Sequence, residues 1–146
     1  MTIIQNPDKL DEELYDAVLM LLPQLTTRHP LPTFADVSAL LCSNCSKLFI
    51  ARHPNLTSPI AGMLTLVIFR VPSGIRAHIE DVVVDRNFRN EGIARELMSA
   101  ALRSAKEAGA NGVALTSHPR RLAANGLYKD LGFKKWDTNL YFYQFD

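Results

Sequence analysis

A strand that runs into a helix through a short polar loop contains the residues best suited to bind an anion. The strand is predicted over Ile75 to Asp85, the loop continues to Glu91, and the helix opens at Gly92. The first backbone N–H groups of a helix lack intrahelical acceptors and point to a place where an anion can sit. Gly92 has no Cβ to keep a phosphate away, and Arg86 and Arg89 add positive charge. The junction is therefore a candidate phosphate site.

The loop sequence narrows the kind of phosphate that the junction could hold. It matches neither the dinucleotide pattern G-x-G-x-x-G nor the nucleoside-triphosphate pattern G-x-x-x-x-G-K-[ST]. An ordinary strand-to-helix turn with solvated arginines is the alternative interpretation of the same residues.

The two cysteines, Cys42 and Cys45, are spaced as C-S-N-C. A structural zinc site needs four ligands, and the nearest histidines, His29 and His53, lack the paired spacing of zinc modules. We therefore expect reduced thiols and no metal.

Length and charge bound the class of protein. The chain has 146 residues, of which 47% are hydrophobic, which is typical of one globular domain, here residues 1–146. Sixteen Lys and Arg against fifteen Asp and Glu leave a net charge of +1, so nothing favours a nucleic-acid or membrane-surface partner. No apolar run approaches the length of a membrane span and no signal pattern opens the chain, so we expect a cytoplasmic protein.

Hydrophobic periodicity predicts strands and helices in an order typical of an α/β or α+β protein. Asp8 is expected to cap the first helix, which Pro23 bends or ends, and Thr33 with Asp36 forms the capping box of the second. A strand, helix and strand in succession imply one parallel crossover in an otherwise antiparallel sheet, so the sheet is mixed. The predicted strands are Thr2–Gln5, Lys47–Ala51, Ile60–Arg70, Ile75–Asp85, Gly112–Ser117 and Trp136–Phe145, and the later helices are those from Gly92 to Gly109 and Arg121–Leu131.

Two motifs resemble those of one family. Val82-Val83-Val84-Asp85 followed by R-N-E-G-I-A, from Arg89 to Ala94, resembles the acetyl-coenzyme A signature R/Q-x-x-G-x-G/A of the GNAT superfamily of N-acetyltransferases. About 30 residues later, A-N-G-L-Y-K-D-L-G-F resembles that superfamily's A-x-x-L-Y-x-x-x-G-F segment. Arg121 departs from an Asn that is frequent in the family, and Arg86 from a frequent Pro. The resemblance implies a GNAT-like fold with helices on both faces of the sheet, and acetyl-CoA as the cofactor.

By that resemblance, the strand with Val82 and Val84 splays from the strand Gly112–Ser117, and the pantetheine arm lies between them. The pyrophosphate is expected on the amides of Asn90, Gly92, Ile93 and Ala94. The full set of cofactor-binding residues implied is Val82, Val83, Val84, Arg89, Asn90, Glu91, Gly92, Ile93, Ala94 and Asn125.

The implied reaction is attack of a neutral amine on an acetyl thioester, which calls for a base near the acetyl group. Glu80 and Asp81 are the candidates, and on a regular strand Glu80 shares its side with Val82 and Val84. A bulge would alter that alternation. Some GNAT enzymes carry a Glu on this strand that acts as the base, often through a water molecule. By that resemblance we choose Glu80 as the base. A surface or ion-paired carboxylate is the alternative.

The acceptor is expected to be the primary amine of a small molecule. Residues 1–26 contain five acids and one base, a net of 1 − 5 = −4, which suits a cation but also fits a solvated helix face. An anion pocket for an amino-sugar phosphate, built from His118, Arg120 and Arg121, is a further possibility. The alternative functions are a protein or peptide N-acetyltransferase and a non-catalytic acyl-CoA sensor. Pairing of an aromatic edge strand, Leu140 to Phe145, could make a homodimer.

Tyr128 is the expected acid, since a phenol with a pKa near 10 stays protonated at pH 7 and can donate to a departing thiolate. Because that thiolate is already a fair leaving group, we predict that Tyr128→Phe lowers kcat about tenfold to a thousandfold. The affinity for coenzyme A should stay nearly unchanged. An unaltered rate in steady-state assays would refute the acid role, and would favour core packing of the ring.

Overall fold

The computed structural model describes residues 1–27 and 30–146, so His29 lies outside the described residues. The chain divides into two compact units, residues 1–116 and 117–146. The first unit contains strands β1 (Ile3–Gln5), β2 (Ser46–Arg52), β3 (Ile60–Val71), β4 (Gly74–Val84) and β5 (Val113–Ala114), and helices α1 (Glu12–Leu21), α2 (Phe34–Cys42) and α3 (Ile93–Glu107). The second unit contains helix α4 (Leu122–Asp130). A single domain over residues 1–146 stays a prediction.

The first unit is built on a five-stranded sheet in the order β1-β2-β3-β4-β5. The first three pairings are antiparallel, and β5 pairs with β4 in parallel. This confirms the predicted mixed, largely antiparallel sheet and its parallel crossover through α3. The described chain has no helix long and apolar enough to cross a membrane.

Helices cover both faces of this sheet. Successive side chains of a strand point to opposite faces, and apolar side chains are buried on each face. One face packs against the apolar side of the first two helices, and we call it the α1/α2 face. The strands contribute Leu48, Ile50, Met63 and Val83 to this cluster, and the helices contribute Leu14, Val18, Leu21 and Val37. On the opposite α3 face, the backbone of Gly62 lies against the side chains of Ile93 and Leu97. The expected helices on both faces are confirmed.

Local signals explain where the first two helices begin. The predicted capping box is present at α2, where Asp36 N–H donates to the Thr33 hydroxyl over 3.1 Å and Thr33 N–H donates to the Asp36 carboxylate over 2.9 Å. The predicted cap of α1 at Asp8 is wrong. Asp11 caps this helix instead, because its carboxylate reaches the Leu14 N–H at 2.8 Å. Pro23 lies in a 3-10 turn, Leu22–Gln24, that follows the end of α1 as expected.

Two strand predictions in the last third of the chain need correction. The predicted strand Gly112–Ser117 is only two residues long, Val113–Ala114. The predicted strand Trp136–Phe145 is wrong, since residues 134–146 form neither strand nor helix. A strand exists only where a neighbouring backbone pairs with it, and within residues 117–146 no second strand is present to pair with this segment.

Gly62 sets the closest approach between the sheet and α3. A Cβ there would lie 3.1 Å from the Val83 carbonyl oxygen and 3.2 Å from a Leu97 methyl carbon. We predict that Gly62→Ala lowers the free energy of unfolding by about 1–3 kcal/mol, because neither the β4 backbone nor the buried helix can withdraw freely. Chemical denaturation checks this. Gly126→Ala in α4 is the matched control, since its Cβ meets nothing within 4 Å, and an undisturbed Gly62→Ala midpoint would contradict the argument.

Candidate active site

A β-bulge interrupts β4 at the residues predicted to carry the chemistry. Thr65 of β3 pairs with Glu80, whereas Met63 pairs with Val83, so Asp81 and Val82 together oppose the single residue Leu64. Asp81 has a φ of +50°, in the left-handed region that non-glycine residues seldom adopt. Such bulges bend a strand and re-aim its side chains.

The bulge corrects the predicted facing of Glu80. Glu80 lies opposite Thr65, which alternates on β3 with Met63 and so shares its α1/α2 face. Val84 lies opposite Gly62 on the α3 face. The expectation that Glu80 and Val84 share a side is therefore wrong, because the extra residue shifts the alternation by one. Glu80 instead shares its face with Val83.

The edge of β4 that carries Val82 is open toward β5. The two strands pair only at Ala77 with Val113 and at His78 with Ala114. Within the described part of the chain, the β4 backbone beyond His78 has no strand partner on that side. The parallel ladder therefore ends before the bulge, and the splaying of these two strands around a pantetheine arm stays a prediction.

The loop after β4 is anchored by its own side chains and by a distant glutamine. Asp85 is buried, its N–H donates to the Ala61 carbonyl over 2.8 Å, and its carboxylate accepts the N–H of Asn87 at 3.1 Å. The N–H of Arg86 donates to Gln24 Oε1 over 2.9 Å. These bonds fix the loop between the 3-10 turn after α1 and the end of β4.

Arg89 folds back on the strand, where its Nε donates to the Val84 carbonyl over 3.3 Å. The resemblance implied that Val84 binds the cofactor, and the structure shows that its carbonyl oxygen already accepts a hydrogen bond from Arg89.

Helix α3 begins with a backbone geometry that leaves amides available. Gly92 is its N-cap with a φ of +79°, no side chain caps the helix, and the first backbone bond of the turn runs from Glu96 N–H to the Gly92 carbonyl at 3.2 Å. The N–H groups of Ile93 and Ala94 therefore precede the hydrogen-bonded part of the helix. Asn90 is also left-handed, with a φ of +65°. We call residues 90–94 the cradle.

Space and charge at the cradle suit an anion. A Cβ placed on Gly92 would meet nothing within 4 Å, so the backbone there can be approached closely. Arg86, Asn90 and Glu91 are exposed, and the N-terminal end of the α3 dipole adds a partial positive charge.

The second unit carries Tyr128 and Asn125 on α4. Tyr128 is half-buried, burial raises the pKa of its phenol, and the nearby charge of Arg121 offsets part of that rise. Its ring lies 5.9 Å from the ring of Phe133, and within its own unit the hydroxyl has no hydrogen-bond partner. Asn125 donates from Nδ2 to the His118 carbonyl over 3.0 Å, so this side chain closes the turn before α4.

The first unit thus brings together Glu80, the bulge, the open edge of β4 and the cradle, whereas Asn125 and Tyr128 belong to the second unit.

Sequence reasoning missed two residues that shape the loop. Asp85, a carboxylate at a strand end, could have been flagged as a cap for the following turn. Nothing in the sequence near Gln24 indicates its role, because its hydrogen-bond partner Arg86 is 62 residues away.

Other candidate sites offer less chemistry. Cys42 and Cys45 are exposed free thiols, and no cluster of three metal-binding side chains occurs among residues 1–27 and 30–146. A surface depression shares no residue with the cradle or the bulge; it is lined by Gln5, Asn6, Pro7, Lys9, Asp11, Leu14, Ile50, Arg52 and Ile60.

The chain belongs to the Acetyltransferase (GNAT) family, whose model matches residues 14–133. It is 38% identical to human N-acetyltransferase 8B over 60 residues, which are 41% of this chain. That match spans about a quarter, 26%, of the relative's own length.

Solved structures agree on the fold. An acetyltransferase from Trypanosoma brucei has a TM-score of 0.78 and 25% identity, and the match covers 99% of this chain and 100% of that one. AAC(6')-Iy, in complex with the bisubstrate analog CoA-S-monomethyl-acetylneamine, has a TM-score of 0.77 and 19% identity, with 100% and 99% covered. The GNAT-like fold and the family assignment are confirmed.

The cradle can be tested by a matched pair of glycine substitutions. Gly92 and Gly109 lie at opposite ends of α3 with φ of +79° and +86°, so alanine costs about 1–2 kcal/mol of backbone strain at either. We predict that Gly92→Ala weakens coenzyme A binding by about tenfold or more in calorimetric titrations, because the strain moves the amides that hold the anion. Gly109→Ala should leave the affinity unchanged. Equal affinities for both variants would contradict the cradle.

Proposed function

We propose that this chain transfers an acetyl group from acetyl-CoA to the primary amine of a small molecule by direct attack. The observation that carries the proposal is the cradle of unpaired amides at the start of α3, directly after a bulged strand with an open edge. An acyl carrier with a pyrophosphate and an extended arm needs both features, an anion site and a strand edge with free backbone groups.

The residues present fit coenzyme A. The amides of Gly92, Ile93 and Ala94 would hold the pyrophosphate, with Asn90 and the exposed Arg86 nearby. Charge-assisted bonds to backbone N–H groups are stronger than neutral ones, so a few amides suffice for a tight grip. The unpaired backbone of β4 at Val82 would hold the pantetheine arm. Bound there, acetyl-CoA supplies an activated thioester.

Glu80 is the proposed base for the acceptor amine. It is exposed and lies on the α1/α2 face, beside the bulge that opens the strand. Asp81 is exposed too, but it occupies the strained left-handed position of the bulge. A carboxylate on the regular strand just before the bulge can accept a proton from the amine directly or through one water.

Tyr128 is the proposed acid for the departing sulfur. Its pKa is raised by burial, so the phenol remains protonated through neutral and mildly alkaline pH. Its hydroxyl has no partner within its own unit, which leaves the proton available for donation. The amine nitrogen bonds to the carbonyl carbon, the carbon–sulfur bond breaks, and the phenol proton goes to sulfur.

The acidic residues around α1 indicate which kind of amine the protein accepts. Two of these residues already have structural roles. Asp11 caps α1, and Glu13 pairs with Arg52 at 2.7 Å, a bond that lowers the pKa of Glu13. The exposed acids that remain are Asp8, Glu12 and Asp16, enough to favour a cationic amine. An anion pocket in the second unit is less favoured, because His118 Nδ1 already accepts the Arg120 N–H at 3.1 Å.

Release of free thiol from acetyl-CoA, measured against a panel of small amines and of peptides, tests the proposed function. We expect turnover with at least one small cationic amine. Turnover with peptides alone would identify a protein N-acetyltransferase, and tight cofactor binding without turnover would identify a sensor.

The base is tested by Glu80→Gln, with Asp81→Asn as the matched control. We predict that Glu80→Gln lowers kcat/KM about a hundredfold or more near neutral pH and that the loss shrinks as pH rises, because the amine then deprotonates unaided. Asp81→Asn should keep most of the activity. A larger loss in Asp81→Asn, or an equal loss for Glu80→Gln at all pH values, would contradict the assignment.

A further inference from the structure

Before its bulge, β4 carries three polar side chains in a line on the α1/α2 face, and we call Arg76, His78 and Glu80 the polar row. Each member lies opposite a residue of β3 that shares this face; the pairs are Arg76 with Phe69, His78 with Val67, and Glu80 with Thr65. Ala77 and Ile79, which alternate with them, are buried on the opposite face. The polar row thus adds two basic side chains to the proposed base.

The facing strand provides an apolar strip beside the polar row. Val67 and Phe69 lie on the same face as the row. Among the described residues, the core cluster formed with α1 and α2 reaches Met63 on β3 and includes neither of these two. The outward residues of a solvated strand face are ordinarily polar. A polar row beside an apolar strip is instead suited to a ligand with polar ends and an apolar middle.

Contacts within the first unit orient the two basic side chains. The ring of His78 lies edge-on to the ring of Phe69, with centroids 5.2 Å apart. Arg76 Nη2 donates to Ser73 Oγ over 3.2 Å, and a guanidinium has five N–H donors, so donors remain for a ligand. Among the described residues of this unit, no hydrogen bond or ion pair engages the side chains of His78 and Glu80. Both can therefore bind a ligand without first losing a protein partner.

Strand geometry sets the length of the ligand that the polar row can hold. Side chains two residues apart share a face, so Glu80 lies about 7 Å along the strand from His78 and about 13 Å from Arg76. An anionic group held by the two basic residues is then separated by roughly 7–13 Å from an amine at Glu80. A chain of about five methylene groups spans the lower end of this range.

We propose that the acceptor is an ω-amino acid, a small molecule in which a methylene chain joins a primary amine to a carboxylate. Glu80 takes the proton of the amine, Val67 contacts the methylene groups, and His78 with Arg76 donates hydrogen bonds to the carboxylate. The ammonium end is the cation that the acids around α1 favour. This inference rests on the proposed acetyl transfer and names the acceptor of the same site; the products are the N-acetylated ω-amino acid and coenzyme A as free thiol.

Thiol release from acetyl-CoA with ω-aminohexanoate, hexylamine and hexanediamine tests the far end of the acceptor. The three share a primary amine on a chain of similar length and end in a carboxylate, a methyl group or a second amine. We expect kcat/KM for ω-aminohexanoate to exceed that for each of the others about tenfold or more, because only the carboxylate gains charge-assisted hydrogen bonds. The difference should lie in KM, since the carboxylate is remote from the reacting atoms.

The double substitution Arg76→Gln with His78→Gln should lower the ratio of kcat/KM for ω-aminohexanoate to kcat/KM for hexylamine about tenfold. The ratio is taken within each variant, so a change in the amount of folded protein cancels. Arg70→Gln is the matched control, because Arg70 is an exposed arginine at the same end of the β3–β4 pair, and alternation from Phe69 puts it on the opposite face. This variant should keep the ratio.

The outcomes separate the acceptor from the reaction. Equal kcat/KM for ω-aminohexanoate and hexylamine, faster turnover of hexanediamine, or turnover of other amines but of none of these three would overturn the ω-amino acid and leave the acetyl transfer standing. A ratio that the double substitution leaves unchanged, or that Arg70→Gln lowers equally, would overturn it too. Thiol release with no amine at all would overturn the proposed function, and the acceptor with it.

Discussion

Helix α3 begins without a side-chain cap, and within the described chain the amides of Ile93 and Ala94 have no protein acceptor. A helix start of this kind in a soluble domain is satisfied by water or by an anion, and an anion also gains from the helix dipole. The left-handed backbone at Gly92 keeps the approach open, because a glycine there places no side chain before the amides. The proposed grip on coenzyme A depends on this one arrangement of the backbone.

The bulge in β4 connects the cradle to the chemistry. By adding one residue opposite Leu64, it ends the regular alternation between Glu80 and Val83 and turns Val84 to the face that carries α3. The parallel ladder with β5 has already stopped at His78, so within the described chain the bulged part of β4 has no strand partner on that edge. Asp85 and Gln24 then hold the loop, the first from inside the fold and the second from the turn after α1. A carboxylate, a strand edge and an anion site are thus set by consecutive residues of one strand and its loop.

The sequence predicted what depends on near neighbours and missed what depends on distant ones. The capping box of α2, the helix at Gly92 and the strands β2 to β4 rest on patterns within a few residues, and all three are confirmed. The predicted sheet face of Glu80 was wrong because a bulge arises from the pairing of two strands and is not visible in the sequence of one strand. Trp136–Phe145 has the composition of a strand, but a strand also needs a partner, and residues 117–146 contain no other strand. The roles of Glu80 as base and Tyr128 as acid stay predictions, since neither the fold nor the family shows which residues transfer protons.

An amide NMR titration of the full chain with coenzyme A, with pantetheine as the ligand that lacks the pyrophosphate, shows directly whether the cradle binds the pyrophosphate. We predict large shifts at Asn90, Gly92, Ile93 and Ala94 with coenzyme A, and small ones at the same amides with pantetheine. Saturable binding of coenzyme A that leaves these four amides unmoved would contradict it.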